Sequence, residues 1–532
     1  MAKIYYAILM VVFMLALLWR APELDLRPLH NDEAVNAIKF GDLWLKGSYK
    51  YDPNEYHGPT LCYFTLPFTY LSSAKTFDQL SEKTLRLTPL FFSLLTILIL
   101  LLLKDELGKS GVIFASLFIA ISPMVVFYSR YFIHETLLIC FTTMLIVGVW
   151  KYAKSGKARW AIFSGAGLGL MYATKETFVF SIASLISAFV LELWYSYRQK
   201  RKSSDQKENF KVFVRPFLEK ARLKHIILAL IAALIVSIPL YTSFFTNWNG
   251  PLDSVRTYLP WLERAGGKSP HIHPFYFYFE RLLWFKPQRS PLWSEGTLFI
   301  FTLIGVWCGF NRRVSFLDKR FIRVIAFYSL ILAAIYSLIS YKTPWCALGF
   351  WSGMLILAGA GAAGLVDCCK NRWTKFLAIL LLAATVVHIS IMNYRANFVY
   401  YADRRNPYTY SQTVTDILRM AKTIDGISKV HPDGKKLVIK VASPEHDYWP
   451  LPWYLRSFEN IGWYDNLPKE PLPPIVIANA RLNVELDEKT NKDWLMVGLF
   501  EMRPRVFFEL YVEFKWWEKY VMSLPKNRDD SN

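Results

Sequence analysis

The chain has 532 residues, 53% hydrophobic, 17% aromatic and 20% charged, with a formal net charge of +20. A mean hydropathy of +0.22 excludes an ordinary soluble protein, and the charged fraction is too high for bare membrane spans alone. The composition is that of a polytopic membrane protein with water-exposed parts. Its six cysteines, Cys62, Cys140, Cys308, Cys346, Cys368 and Cys369, fall in or beside apolar runs without metal-ligand spacing, so neither a disulfide framework nor a zinc site is read from them.

Ile4–Trp19 is apolar with a weakly basic start, and Glu23, Asp25 and Arg27 follow it in place of a small-residue cleavage site. It reads as a retained span. The stretch Leu29–Pro59 comes next and carries Asp32-Glu33, Asp52-Pro53-Asn54-Glu55 and His57-Gly58-Pro59. Carboxylates pressed against a bilayer cost several kcal/mol unless paired or hydrated, so this loop is a candidate functional site. The plainer account is that Asp32 and Glu33 cap the helix expected over AVNAIKFGDLWLKG, where acids favour the N-terminus.

Apolar segments long enough, or nearly so, to cross hydrocarbon run over 4–20, 87–103, 111–128, 136–150, 160–174, 177–195, 226–246, 296–310, 321–341, 345–366 and 374–393. The basic residues collect in alternate connections: Lys104 and Lys109, Lys151–Arg159, Arg198–Lys224, Arg312–Arg323 and Lys370–Lys375. The short turns between carry only Arg130, Lys175 and Lys342. This asymmetry predicts a cytoplasmic N-terminus and accounts for most of the positive charge without nucleic acid. With an odd number of spans, the loop 21–86, the connection 247–295 and everything after about Asn397 lie on the outer face.

The connection 198–225 reads as a solvated basic loop against anionic lipid. The connection 247–295 alternates charge with aromatic clusters, as an interfacial amphipathic stretch or lid does. His271-Ile272-His273 within it has no third ligand nearby and reads as surface decoration rather than a metal site. The tail 397–532 combines a helical period over YTYSQTVTDILRMAKTIDGI, strands over KLVIKVAS and PPIVIAN, a short helix over WPLPWYLRS and a strand or hairpin over RVFFELYVEFKWWEKYV. The expected architecture is an all-α polytopic membrane domain over 1–396, with about eleven transmembrane helices, followed by a small extracytoplasmic α/β domain over 397–532.

Three short external turns also hold ionisable groups: Tyr128–Thr136, with Arg130, His134 and Glu135; Thr174–Thr177, with Lys175 and Glu176; and Tyr341–Trp345, with Lys342. Taken singly, each turn is explained by membrane-edge pairing. Taken together on one face, they would surround Asp32 and Glu33 with alternating acids and bases. That mixture suits sugar transfer from a polyprenyl phosphate, where a carboxylate takes a proton from the acceptor hydroxyl and cations, or a metal held by carboxylates, stabilise the departing phosphate.

His30-Asn31-Asp32-Glu33-Ala34, Tyr51–Pro59, Tyr128–Glu135, Ala173–Glu176, Tyr341–Trp345 and Trp449–Tyr454 resemble the signature stretches of the flippase-activity-associated proteins of archaeal and bacterial glycosylation gene clusters. That family lies within the dolichyl-phosphate-mannose–protein mannosyltransferase-like glycosyltransferases of GT-C fold. The resemblance implies an inverting transferase of the cytoplasmic membrane. Asp32 matches the presumed base and Glu33 its neighbour, while Arg130 and Glu135 fall where such enzymes place phosphate- and metal-contacting groups. The candidate site is therefore Asp32 and Glu33 for catalysis, with His57, Arg130, His134, Lys175 and Lys342 toward the donor phosphate. Asp32 and Glu135 are the ligands for a divalent metal (Mg, Mn or Zn) if the reaction uses one. The expected partners are a polyprenyl-phosphate sugar, a glycan, lipid or protein acceptor, and membrane lipid. The competing readings are a transporter or flippase for lipid-linked glycans, and a scaffold whose aromatic tail recruits a partner.

Overall fold

The computed structural model describes residues 2–54, 57–203, 209–210, 213, 222–260, 271–311, 314–469 and 471–525. All eleven apolar segments are helical over most of their length. Among the described residues, eight helical stretches are long and apolar enough to cross a bilayer, and Gly296–Phe310 is a shorter apolar helix. Glu82–Ile121 forms one 40-residue apolar stretch. As a straight helix it would span about 60 Å, twice the hydrocarbon thickness. Gly108, with φ +67°, divides it, because glycine adopts the left-handed region without a Cβ clash.

The expected span 111–128 also breaks, at Ser122. One helix ends at Ile121 and another runs over Pro123–Ser129. The buried Glu295 carboxylate accepts from Ser122 Oγ (2.5 Å), Met124 N (3.1 Å) and Tyr408 Oη (2.7 Å), which satisfies the groups freed at the break.

Leu348–Cys368 is buried over nearly its whole length and forms the centre of the bundle. Its neighbour Gly296–Phe310 approaches it backbone to backbone. A Cβ on Gly305 would lie 1.9 Å from Leu357 O, and one on Gly361 would lie 2.0 Å from Phe301 O. Small residues permit this approach, and dispersion drives it where no hydrophobic effect operates between helices. Gly361→Leu is therefore expected to cost about 1–3 kcal/mol, the usual penalty of overpacking, and to lower the thermal unfolding midpoint in detergent. An unchanged midpoint would mean that the two backbones are not in contact.

The tail carries a five-stranded sheet of β1 (Val438–Ala442), β2 (Asn460–Tyr464), β3 (Ile475–Asn479), β4 (Trp494–Arg503) and β5 (Val506–Glu513), in the order β2-β1-β3-β5-β4. β1 pairs in parallel with β2 and β3, and β5 pairs antiparallel with β3 and β4. The helix Asp416–Val430 buries Ile417, Met420, Ile424 and Ile427 against Ile439, Val441, Ile477 and Leu510. The last aromatic run divides differently from a hairpin: β5 is followed by a helix, Phe514–Ser523. β2 and β4 are edge strands with half-exposed residues and internal glycines, Gly462 and Gly498, which interrupt the strand pattern in their sequences.

The connection 247–295 contains the short helices Gly250–Arg256 and Phe277–Leu283 and two isolated bridges, Ile272 to Tyr341 and Phe285 to Trp293. The stretch 261–270, in which the expected lid begins, and most of the basic run 204–221 lie outside the described residues.

Candidate active site

Three groups of ionisable side chains gather at the loop end of the bundle, at the heads of different helices. The first is built on the helix Asn31–Lys46. His30 is its N-cap: the His30 ring Nδ1 accepts from Asp32 N at 3.1 Å, and Glu33 Oε2 accepts from His30 N at 3.0 Å, a reciprocal capping box. The His30 ring Nε2 lies 2.9 Å from Tyr410 O. Because Nδ1 accepts, the proton is on Nε2, which donates to that carbonyl. Burial lowers the His30 pKa and keeps the ring neutral.

Glu33 is fully buried. Its carboxylate takes Arg86 Nε and Nη2 at 2.8 Å each and accepts from Phe132 N at 2.8 Å. Burial alone would raise its pKa, but Arg86 overrides that and holds it low. Arg86 also donates to Leu24 O and Arg27 O at 2.7 Å. This pair thus fastens the first loop, the head of the second apolar helix, Glu82–Leu100, and the turn after Ser129 to one another.

Asp32, one residue earlier, faces the other way. Its side chain is 52% exposed, and its nearest titratable neighbour is His30 Nδ1 at 3.8 Å, a nitrogen already accepting from Asp32 N. Among the described residues, no cation pairs with this carboxylate. It stands in the first turn of its helix, where the peptide dipoles favour a negative charge.

The second group is the buried pair Lys175 Nζ and Glu135 Oε1. Burial would lower the Lys175 pKa, but Glu135 more than offsets it and the ammonium is held above its usual value. The pair heads a narrow cavity of about 40 Å³ lined below by Thr142, Ser181, Tyr328, Gly353 and Ile356 and flanked by Trp345. Trp345 connects this slot to the Asp32 loop, since its ring lies 5.7 Å from that of His30 and 6.2 Å from that of Tyr131.

The third group is His57, Glu176 and His134. His57 Nδ1 donates to Glu176 Oε2 at 2.8 Å, and Tyr51 Oη donates to Glu176 Oε1 at 3.3 Å. His57 and His134 meet edge to face at 5.2 Å. His134 Nε2 lies 3.0 Å from Gly58 O, while its buried Nδ1 has no partner among the described residues. Burial, with His57 and Lys175 close by, pushes the His134 pKa well below its usual value. Gly58 is required here because a Cβ would lie 2.2 Å from Ala173 O; its N–H donates to Thr174 O at 3.1 Å.

The expected ring of cations around Asp32 is not what the turns provide. Arg130 donates to the carbonyls of Arg20 (3.0 Å), Pro22 (2.6 Å) and Glu23 (2.8 Å) and lies over Phe398, capping the end of the first helix. Burial, with Arg27 and Arg86 nearby, brings its guanidinium down to about 9. Lys342 Nζ donates to His273 O and Ile339 O, and burial lowers its pKa. Each of these buried cations is satisfied by backbone carbonyls in place of Asp32. His271 and His273, read as surface decoration, both reach Tyr410 Oη at 2.7 Å and clasp the start of the tail.

The tail closes over the loop: Tyr454 Oη accepts from Leu29 N at 2.8 Å, Gln412 donates to Pro28 O at 3.0 Å, and Trp453 Nε1 donates to Glu82 Oε1 at 2.8 Å. With its amide turned to satisfy both neighbours, Asn31 accepts from Arg503 and donates to Trp449 O. Arg86 and Tyr410 are the site residues that sequence reasoning passed over. Arg86 was detectable, since an arginine at the head of an apolar span must find an acid. Tyr410 left no such signal.

A metal between Asp32 and Glu135 does not fit these residues. Glu135 is committed to Lys175 and Glu33 to Arg86, and among the described residues no three His, Cys, Asp or Glu side chains form a ligand group.

Residues 10–247 match the sequence profile of the family described as dolichyl-phosphate-mannose-protein mannosyltransferase. No curated protein matches the chain. Among solved structures it resembles ArnT from Cupriavidus metallidurans bound to undecaprenyl phosphate, with a TM-score of 0.61 at 13% identity, over 96% of this chain and 97% of that one. The archaeal oligosaccharyltransferase AglB from Archaeoglobus fulgidus, in complex with an inhibitory peptide and a dolichol-phosphate, aligns with a TM-score of 0.53 at 12% identity, over 90% and 70% of the two chains. The same oligosaccharyltransferase in complex with Zn and sulfate gives 0.52 at 13% identity, over 98% and 74%. At these identities the likeness is one of fold: the chain has the GT-C architecture, an apolar helical bundle followed by a tail with a small five-stranded sheet.

Proposed function

We propose, from the shared fold and the profile match over residues 10–247, that this chain is a membrane glycosyltransferase that moves a sugar from a polyprenyl-phosphate donor to an acceptor at the membrane surface, with inversion. Asp32 is the general base. The observation that carries this role is the division of labour in the Asp-Glu pair: Glu33 is consumed by Arg86, while Asp32 is held at a helix N-terminus with its carboxylate open and without a cation among the described residues.

In this reaction the acceptor hydroxyl attacks the anomeric carbon from the face opposite the phosphate. Asp32 takes the hydroxyl proton as the new C–O bond forms. The bond from that carbon to the phosphate oxygen breaks, and polyprenyl phosphate leaves with the electron pair. Lys175, which lines the slot, is the cation for the leaving oxygens, with Trp345 shared between the slot and the His30 ring that caps the Asp32 helix. His57 and His134 support the loop that carries Gly58, and Arg130 fixes the first helix; for these three the contacts favour positioning over phosphate binding. Glu33 likewise positions Asp32. No metal step is included. The Lys and Arg asymmetry of the loops supports a cytoplasmic N-terminus with this site on the outer face.

Reconstituted with a polyprenyl-phosphate sugar and acceptor, the protein is expected to yield glycosylated acceptor and free polyprenyl phosphate in equal amounts. Donor crossing the bilayer without transfer would instead establish the flippase reading, which neither the fold nor the family match supports. Replacing the buried pair by Glu135→Gln with Lys175→Gln removes both charges and keeps an amide hydrogen bond. It is expected to raise KM for the donor about tenfold, the worth of one charge-assisted contact. An unchanged KM would take Lys175 out of the donor site.

A further inference from the structure

A second, larger cavity of about 850 Å³ opens toward the membrane between the ends of the first and last apolar helices, and it shares no lining residue with the slot below Lys175. Its walls are Trp19, Val387, Ile391 and Tyr394, and its rim carries Arg289 and Arg395. Val387 is 60% exposed, Ile391 45% and Tyr394 54%, so the wall faces lipid.

Among the described residues neither arginine's guanidinium makes a hydrogen bond or an ion pair. The nearby acid, Asp403, is taken by Arg405, whose Nε lies 3.0 Å from both carboxylate oxygens. Arg405 in turn donates to Arg289 O at 3.0 Å, holding that segment in place. Two like charges on one pocket repel each other, and a neutral occupant would leave that repulsion standing.

The backbone is unusual at both arginines. Arg289 has φ +56°, in the left-handed region that a side chain seldom adopts. Arg395 opens a turn of π-helix, Arg395–Val399, at the end of the last span. Such turns persist where the local geometry is used.

We propose that this cavity binds an anionic phospholipid of the surrounding bilayer, with its phosphate between Arg289 and Arg395 and its chains along Val387 and Ile391. Guanidinium groups match phosphate in geometry and charge, and the apolar wall continues down the lipid-facing side of Arg372–Tyr394 through Leu380, Leu377 and Phe376. That continuity selects a lipid over a free phosphate ion.

The test uses the full-length protein in detergent, with bound lipid read by native mass spectrometry. The wild type is expected to retain dioleoylphosphatidylglycerol about tenfold more tightly than dioleoylphosphatidylcholine, the value of one or two charge-assisted hydrogen bonds. Arg289→Gln with Arg395→Gln should abolish the preference while leaving the affinity for undecaprenyl phosphate and the transfer rate unchanged. Ile391→Trp, which fills the wall and keeps both charges, should also reduce retention. The proposal is overturned if the double variant keeps the preference, if inorganic phosphate at the same concentration displaces the phospholipid, or if undecaprenyl phosphate is the lipid whose binding falls.

Discussion

Asp32→Asn is expected to lower sugar transfer from a polyprenyl-phosphate donor by about 10²–10⁴-fold, the contribution typical of a positioned general base. The amide is nearly the same size and keeps its place in the first turn of Asn31–Lys46, but it cannot accept a proton from the acceptor hydroxyl. Since Asp32 is half exposed and pairs with no cation among the described residues, its loss should leave the protein's thermal unfolding nearly unchanged. The dipole term at such a position is worth only about 0.3–1 kcal/mol. Donor binding should also persist, because the cation proposed for the donor phosphate, Lys175, pairs with Glu135 and not with Asp32. A variant that transfers sugar at the normal rate would remove Asp32 as the base, and one that binds no donor would assign it to recognition instead.

The second large effect is on stability. Removing either member of the Glu33–Arg86 pair leaves an uncompensated charge among fully buried groups, so Glu33→Ala or Arg86→Met should each cost about 3–5 kcal/mol. Glu33 also accepts from His30 N and Phe132 N, and Arg86 donates to Leu24 O and Arg27 O. Either change therefore orphans backbone groups as well. The double variant should be less destabilised than the sum of the single ones, since their main loss is shared. Denaturation in detergent micelles measures all three. If Glu33→Ala unfolds like the wild type yet transfers no sugar, Glu33 acts in the chemistry and not through Asp32.

The two predictions separate neighbouring carboxylates that look interchangeable as letters. Their difference arises from helix geometry: successive residues are about 100° apart around the axis, so one acid turns inward to Arg86 as the next turns to water. The Arg130 and Lys342 assignments fail for a related reason. Sequence placed both at the heads of spans, but it could not show that carbonyls at the end of the first helix and in the 273 and 339 turns would reach them first. The cation proposed for the donor side, Lys175, lines the slot and carries its own acid, Glu135, drawn from a turn forty positions away.

The sequence by itself determined where helices form, because an apolar run in a membrane must satisfy its backbone internally and has few other solutions. It also determined which loops hold charge, and the long motifs around Asp32, Arg130, Lys175 and Lys342 were enough to suggest the fold. The tertiary structure decided which of those charges are available. That depends on burial and on which carbonyl or carboxylate lies within hydrogen-bond reach, and these contacts join residues separated by tens to hundreds of positions, as with Leu29 and Tyr454 or Asp32's neighbour Glu33 and Arg86. A buried charge takes the nearest partner that offsets its lost hydration, and only the folded chain sets which partner that is.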